Sequence, residues 1–127
     1  YRRLMKAREV SVEPRDCSSM TQAAIAYIHQ HFQQDISLRQ AAEHIGVNGS
    51  YLSRIFKEDC GIGFKEYLNR VRIRQAKYLL QDSELCLKEL VGQSGFNNYT
   101  YFFKVFKLLE GVTPVEYKEH CQKTMET

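Results

Sequence analysis

The chain repeats itself, and the repeat limits the folds open to it more than any other feature. Shifted by 49 residues, Leu38-Arg39-Gln40 falls on Leu87-Lys88-Glu89, and Gly46-Val47 falls on Gly95-Phe96. One extra residue in the second turn makes the offset 50 from there on. Asn48 then meets Asn98, Ser50 meets Thr100, Tyr51 meets Tyr101 and Arg54 meets Lys104. Ile55-Phe56-Lys57 meets Val105-Phe106-Lys107, Gly61 meets Gly111, and Glu66-Tyr67 meets Glu116-Tyr117. Two copies are too few for a solenoid, which needs about three or more stacked repeats. They suit a pair of equivalent units, each reading as a short apolar helix, a glycine-containing turn and a second helix.

Hydrophobic spacing and capping signals fill in the rest as helix, with no convincing strand. A first helix is expected to begin after Ser18 or Ser19, where Ser19 and Gln22 have capping-box spacing. It carries Ala24, Ile25, Tyr27, Ile28 and Phe32 on a helical period. Ser37-Leu38-Arg39-Gln40 is a second capping box, opening a short helix with Leu38, Ala41, Ala42 and Ile45 inward. Gly46 ends that helix, since the residue after a helix often needs a positive φ. Asn48 is a good cap for the next, which is expected to run to about Glu58. A long helix follows from about Phe64 to Leu80, with Phe64, Tyr67, Leu68, Val71, Ala76, Leu79 and Leu80 as its stripe. Further helices are expected over roughly 87–94, 99–109 and 114–123. Thr113, Pro114 and Glu116 give the last one an N-cap, a proline at N1 and an acid at N3. The expected architecture is all-α: two helix-turn-helix subdomains, about seven helices in all, joined by a long central helix. Residues 1–17 read as a linker or the tail of an upstream domain, because Pro14 interrupts any helix there. Residues 18–82 form the first subdomain with the central helix, and 83–127 the second.

Helix–turn–helix hairpins also occur in purely structural bundles, so the faces of the second helices must decide the function. In the first unit Tyr51, Leu52, Ile55 and Phe56 make the stripe expected to face the core. Ser50, Ser53, Arg54 and Lys57 lie opposite. In the second unit the inward stripe is Tyr101, Phe102, Val105 and Phe106, with Thr100, Phe103, Lys104 and Lys107 opposite. Both outer faces read as purely cationic, whereas a merely solvated face more often mixes signs to gain i,i+4 pairs. Such a face suits a groove lined with phosphates. Arg54 has the geometry for a bidentate pair with guanine O6 and N7 in the major groove of DNA. Ser50 and Ser53 are short enough to let the helix approach, and their hydroxyls donate or accept. Lys57 and Lys107, further along each helix, are placed to meet the phosphate backbone. Phe103 has three contacts open to it: a thymine methyl, a neighbouring helix, or solvent alone.

The run from Gly95 through Lys107 (GFNNYTYFFKVFK), followed by Gly111-Val112-Thr113-Pro114-Val115-Glu116-Tyr117-Lys118, resembles the signature of the AraC/XylS family. The stretch Ile36-Ser37-Leu38, Ala41-Ala42, Gly46-Val47, Tyr51 through Lys57 and Gly61 is similar to that family's first helix-turn-helix. The resemblance covers about residues 20–120. It implies seven helices with a long central one, two recognition helices in successive major grooves of double-stranded DNA, and a role in activating transcription beside RNA polymerase. It also implies a cytoplasmic protein, an upstream sensor domain and a possible dimer formed through that domain. Residue by residue, it puts Ser50, Ser53 and Arg54 at base-reading positions of the first unit, and Tyr99, Thr100, Phe103 and Lys104 at those of the second. Ser37, Lys57 and Lys107 are placed on the phosphate backbone. The chain departs from the family pattern at Gly49, where a proline is frequent, and at Gly92, where alanine is usual; the latter costs ~1 kcal/mol of helix propensity. Phe103 and Leu108-Leu109 make the second recognition helix unusually apolar, so that it either reads bases weakly or binds through shape and phosphates.

Other function classes fare worse. The net charge of +3 is mildly basic and proves little by itself. No apolar run is long enough to span a membrane, and the first residues carry charge without the apolar core of a signal peptide. Cys17, Cys60, Cys86 and Cys121 include no close pair, and His29 and His31 fall on different sides of a helix, so no metal or other cofactor is expected. Reduced thiols in a cytosolic protein are the plain reading. No cysteine has a sequence-local His or acid that makes it a credible nucleophile, and no glycine-rich phosphate loop occurs, so an enzyme is not expected. A protein-interaction bundle would show neutral or mixed outer faces on the two second helices. RNA is disfavoured because its deep, narrow major groove excludes a helix.

Overall fold

The computed structural model describes residues 18–82 and 86–126. The expected linker at 1–17, Cys17 and the subdomain boundary at 83 lie outside the described residues. Within them the chain is all-α, with seven helices: α1 (Ser19–His31), α2 (Leu38–Ile45), α3 (Gly49–Cys60), α4 (Phe64–Asp82), α5 (Leu87–Gln93), α6 (Tyr99–Glu110) and α7 (Pro114–Glu126). They form two compact units. The first holds α1, α2, α3 and the start of α4 through Leu68. The second holds residues 32–35 and everything described from Asn69 onward. The long helix α4 thus joins two helix-turn-helix units, α2–α3 and α5–α6.

The caps make the repeat visible in three dimensions. The Asn48 side chain accepts the Tyr51 N–H at 3.0 Å, and Asn98 accepts the Tyr101 N–H at 2.8 Å. Both second helices are twelve residues long. Each ends on a glycine with positive φ, Gly61 at 84° and Gly111 at 83°. Those glycine N–H groups donate to the Lys57 and Lys107 carbonyls, both at 2.8 Å. Left-handed backbone is nearly free for glycine and costly for other residues, so the glycines end the helices: α3 runs to Cys60, two residues past the expected Glu58, and α6 to Glu110. Thr113 and Glu116 form their reciprocal cap at the start of α7, with bonds of 3.1 and 2.9 Å.

In the first unit Ala24 and Ile28 from α1 pack with Ala41 and Ala42 from α2, Leu52 and Phe56 from α3, and Phe64 and Leu68 from α4. The wholly buried Phe56 meets Phe64 and Tyr67 edge-on, with ring centroids 5.7 and 5.6 Å away. Burying such a ring stabilises by about 1.5–3 kcal/mol. The α1 cap falls on Ser18 rather than Ser19: the Ser18 hydroxyl accepts the Thr21 N–H at 3.2 Å. Asp59 from α3 accounts for the choice, because its carboxylate accepts from the Ser18 N–H at 3.1 Å and from the Thr21 hydroxyl at 2.6 Å. An acid brought from another helix to these donors also suits the positive end of α1.

In the second unit Ile73, Ala76 and Leu80 of α4 pack with Leu90, Val91, Phe96, Phe102, Val105 and Phe106. Sequence periodicity does not anticipate the buried Arg72. Its Nε donates to the Phe32 carbonyl at 2.9 Å and its Nη2 to the Gln34 carbonyl at 2.8 Å. The guanidinium lies 5.6 Å from the Phe96 ring centroid. Burial lowers its pKa from the usual guanidinium value, while two carbonyls and an aromatic face replace the lost water. Helix α1 ends at His31, so Phe32 belongs to the turn rather than to the α1 stripe. Gly95, at φ 103°, sits directly against that turn: a Cβ there would collide with the Phe32 carbonyl oxygen and come within 3.0 Å of Arg72 Nε.

Candidate nucleic-acid interface

Helix α3 presents Ser50, Ser53, Arg54 and Lys57 to solvent while Leu52 and Phe56 are buried and Ile55 is half-buried. Gly49, the first helical residue, faces Leu38 and Ala42, and a Cβ there would make ordinary contacts at 3.7 and 4.0 Å. Its lack of a side chain therefore comes from neither backbone strain nor crowding. The expectation for Tyr51 is overturned. It is 46% exposed and lies under the Arg54 guanidinium, 5.1 Å from ring centroid to Cζ, instead of in the core. Arg54 also donates from Nη1 to Glu58 at 3.1 Å. The outer face of α3 is therefore not purely cationic. Tyr51 stands three residues before Arg54 and Glu58 four after, so both reach it by ordinary helical spacing. The i,i+4 rule read from Arg54 forward would have found Glu58. Both partners of this ion pair are more than half exposed, so it orients Arg54 without contributing much stability.

Helix α6 presents Tyr99, Thr100, Lys104 and Lys107 to solvent, with Phe102 and Phe106 wholly buried. Phe103 is half-buried, and its ring lies 6.0 Å from that of Tyr99. Tyr101, expected in the core, is exposed at 37%; its hydroxyl accepts from Asn69 Nδ2 at 3.1 Å. A tyrosine needs a partner for its hydroxyl, and α4 provides one at the rim of the unit. Lys107 faces the start of α7. There the Thr113 N–H holds the Glu116 carboxyl below its ordinary value, and the Lys107 charge adds to the effect. The end of α6 is tied down by Lys77, whose ammonium lies 3.2 Å from Glu110.

Ser37 is exposed at the start of α2, where its hydroxyl accepts the Gln40 N–H at 3.2 Å and its own N–H donates to Gln40 at 2.9 Å. The structure thus gathers Ser50, Ser53, Arg54 and Lys57 on one exposed face of α3. It gathers Tyr99, Thr100, Phe103, Lys104 and Lys107 along α6, and leaves Ser37 at the tip of a different helix. Asp59 holds α3 against the start of α1, and the Thr21 hydroxyl and Ser18 N–H keep its carboxyl below the usual range. No helix among the described residues is long and apolar enough to cross a membrane.

Two capped helix-turn-helix units in tandem, each showing a hydroxyl- and cation-bearing second helix, define a DNA-binding module. A helix-turn-helix domain profile matches residues 41–120. Regulatory protein PocR of Salmonella typhimurium is 32% identical over 118 residues, 93% of this chain and 39% of that protein. The uncharacterized HTH-type transcriptional regulator YtdP of Bacillus subtilis is 35% identical over 95 residues, 75% of this chain and 12% of that protein. Among solved structures, the C-terminal domain of AraT, a response regulator from Geobacillus stearothermophilus, superposes with a TM-score of 0.79 at 36% identity, covering 81% of this chain and 86% of that one. The chain belongs to the AraC/XylS family of transcription regulators and is a DNA-binding domain of that family. It spans 12% and 39% of the length of these two curated relatives.

Proposed function

We propose that α3 and α6 are recognition helices that enter successive major grooves of one DNA duplex and read an asymmetric site. The observation that carries this is the matched pair of exposed faces, built on identical caps but lined by different side chains. Two grooves on one side of a duplex are about 34 Å apart, one helical turn. Ser50, Ser53 and Arg54 contact bases in one groove, and Tyr99, Thr100, Phe103 and Lys104 contact bases in the next. Ser37, Lys57 and Lys107 meet phosphates.

The module acts within a longer cytoplasmic protein whose upstream domain senses a signal and can dimerise, and it activates transcription beside RNA polymerase. Residues 1–17 serve as a linker to that domain or as its tail, and 18–82 and 83–127 as the two DNA-binding subdomains.

Binding-site selection from random duplexes at two salt concentrations tests the core of this reading. It should return two unlike half-sites one helical turn apart. Arg54→Ala should relax preference at one base pair by ~1–3 kcal/mol. An equal loss on every duplex would move Arg54 to the backbone, and selection of no sequence would end the proposal.

A further inference from the structure

We infer that Tyr99 and Phe103 form an apolar clamp that reads the 5-methyl group of a thymine in the half-site bound by α6. This rests on the base-reading role proposed for that helix and specifies its ligand. The repeat isolates the feature. At an offset of 50 the positions of Tyr99 and Phe103 in α3 are held by Gly49 and Ser53, so one unit is bare where the other carries two aromatic rings.

Folding does not demand those rings. Tyr99 is 44% exposed and Phe103 only half-buried, while the core beneath is closed by the wholly buried Phe102 and Phe106. The two rings nevertheless sit as a pair, with centroids 6.0 Å apart and planes inclined at 51°. The Phe102 ring also lies 6.2 Å from that of Tyr99. Four residues separate them, so both lie along one edge of the helix, beside the exposed Thr100, Lys104 and Lys107.

Two aromatic faces within a cationic surface suit an apolar group surrounded by phosphates. The major groove offers one such group, the thymine methyl; every other base edge there presents donors and acceptors. Uracil lacks the methyl and keeps the same base-pairing edge.

The test uses this chain and its selected duplex. Each thymine of the site is replaced in turn by deoxyuridine, and Kd is measured by fluorescence anisotropy. Arg54→Ala first marks which half-site belongs to α3. Replacement at one or two thymines of the other half-site should weaken binding about three- to five-fold, the worth of one buried methyl. The α3 half-site should show no such position. Phe103→Ser, which copies Ser53, should abolish the effect, and Phe103→Leu should keep part of it. If Phe103→Ser fails to fold by circular dichroism, the uracil series on the unaltered chain decides.

A duplex indifferent to uracil throughout the α6 half-site overturns the clamp, as does a selected half-site with no thymine. If Phe103→Ser changes the selected bases while uracil has no effect, base reading by α6 stands and the methyl contact falls. If Phe103→Ser changes neither, the base-reading role of Phe103 falls with it.

Discussion

Replacing Gly95 by alanine should damage this protein far more than the same change at Gly46, although the two glycines occupy equivalent places in the repeat. Both have positive φ, 103° and 88°. An alanine forced into that region costs roughly 1–2 kcal/mol at either site. The surroundings then separate them. A Cβ on Gly46 meets nothing within 4 Å, so strain is the whole penalty. A Cβ on Gly95 collides with the Phe32 carbonyl oxygen and reaches Arg72 Cγ at 3.2 Å. A backbone carbonyl cannot swing aside as a side-chain tip can. The turn at 32–35 must move, and the bond from Arg72 Nε to Phe32 goes with it. A hydrogen bond to a charged group is worth about 1.5–3 kcal/mol, and Arg72 is too buried for water to replace it.

Gly95→Ala should therefore cost about 3–5 kcal/mol against about 1–2 for Gly46→Ala. Urea unfolding followed by circular dichroism at 222 nm measures both. Asparagine sharpens the comparison because it tolerates positive φ: Gly46→Asn should be mild, whereas Gly95→Asn should remain severe. Equal losses for the two alanine variants, within about 0.5 kcal/mol, would refute the claim that close approach governs Gly95.

Three further outcomes follow from individual contacts. Gly92→Ala should raise stability by about 0.5–1 kcal/mol, seen as a higher Tm, because an added Cβ meets nothing within 4 Å and the helix gains propensity; a lower Tm would contradict it. Asp59 has its pKa lowered by the Thr21 hydroxyl and Ser18 N–H, so its contribution is present above the ordinary carboxylate value and is lost as pH falls through the lower folded one. Asp59→Asn should thus be less stable than the unaltered chain at pH 7, and the gap in urea midpoints should close in acid; a gap independent of pH would remove Asp59 from the acid limb. Lys57→Ala should weaken binding to every duplex and reduce the slope of log K against log salt by about 0.9, and an unchanged slope would take Lys57 off the phosphate backbone.

The parts of this fold legible in the sequence were those encoded within a few residues of each other. Asn48, Asn98 and Thr113 each cap a helix through a side chain reaching three residues on, and Gly61 and Gly111 each end one through their own φ. Such signals need no knowledge of the rest of the chain. Where the structure departs from the sequence reading, the cause is mostly a partner far away along the chain or a residue with two natures; Glu58, four residues from Arg54, is the local exception. Asp59 fixed the α1 cap on Ser18 from 41 residues away. Arg72 is buried by carbonyls 38 and 40 residues earlier, which no hydrophobic period can register. Tyr51 and Tyr101 count as apolar in a helical stripe, yet each sits at the rim with one edge wet.

The candidate site obeys the same division. Most of the outward residues on α3 and α6 follow from periodicity: Ser50, Ser53, Arg54, Lys57, Thr100, Lys104 and Lys107 are exposed as expected, whereas Phe103 is half-buried and Tyr51 and Tyr101 are exposed against it. What those side chains touch does not follow, as the sandwiching of Arg54 between Tyr51 and Glu58 shows. The repeat explains why fold and recognition come apart in this way. Duplicated caps, end glycines and the Leu52/Phe102 and Phe56/Phe106 pairs must stay alike, since each copy has to form the same two helices. The outer positions carry less of that demand, so Ser53 can stand opposite the half-buried Phe103 and Glu58 opposite the 78%-exposed Leu108.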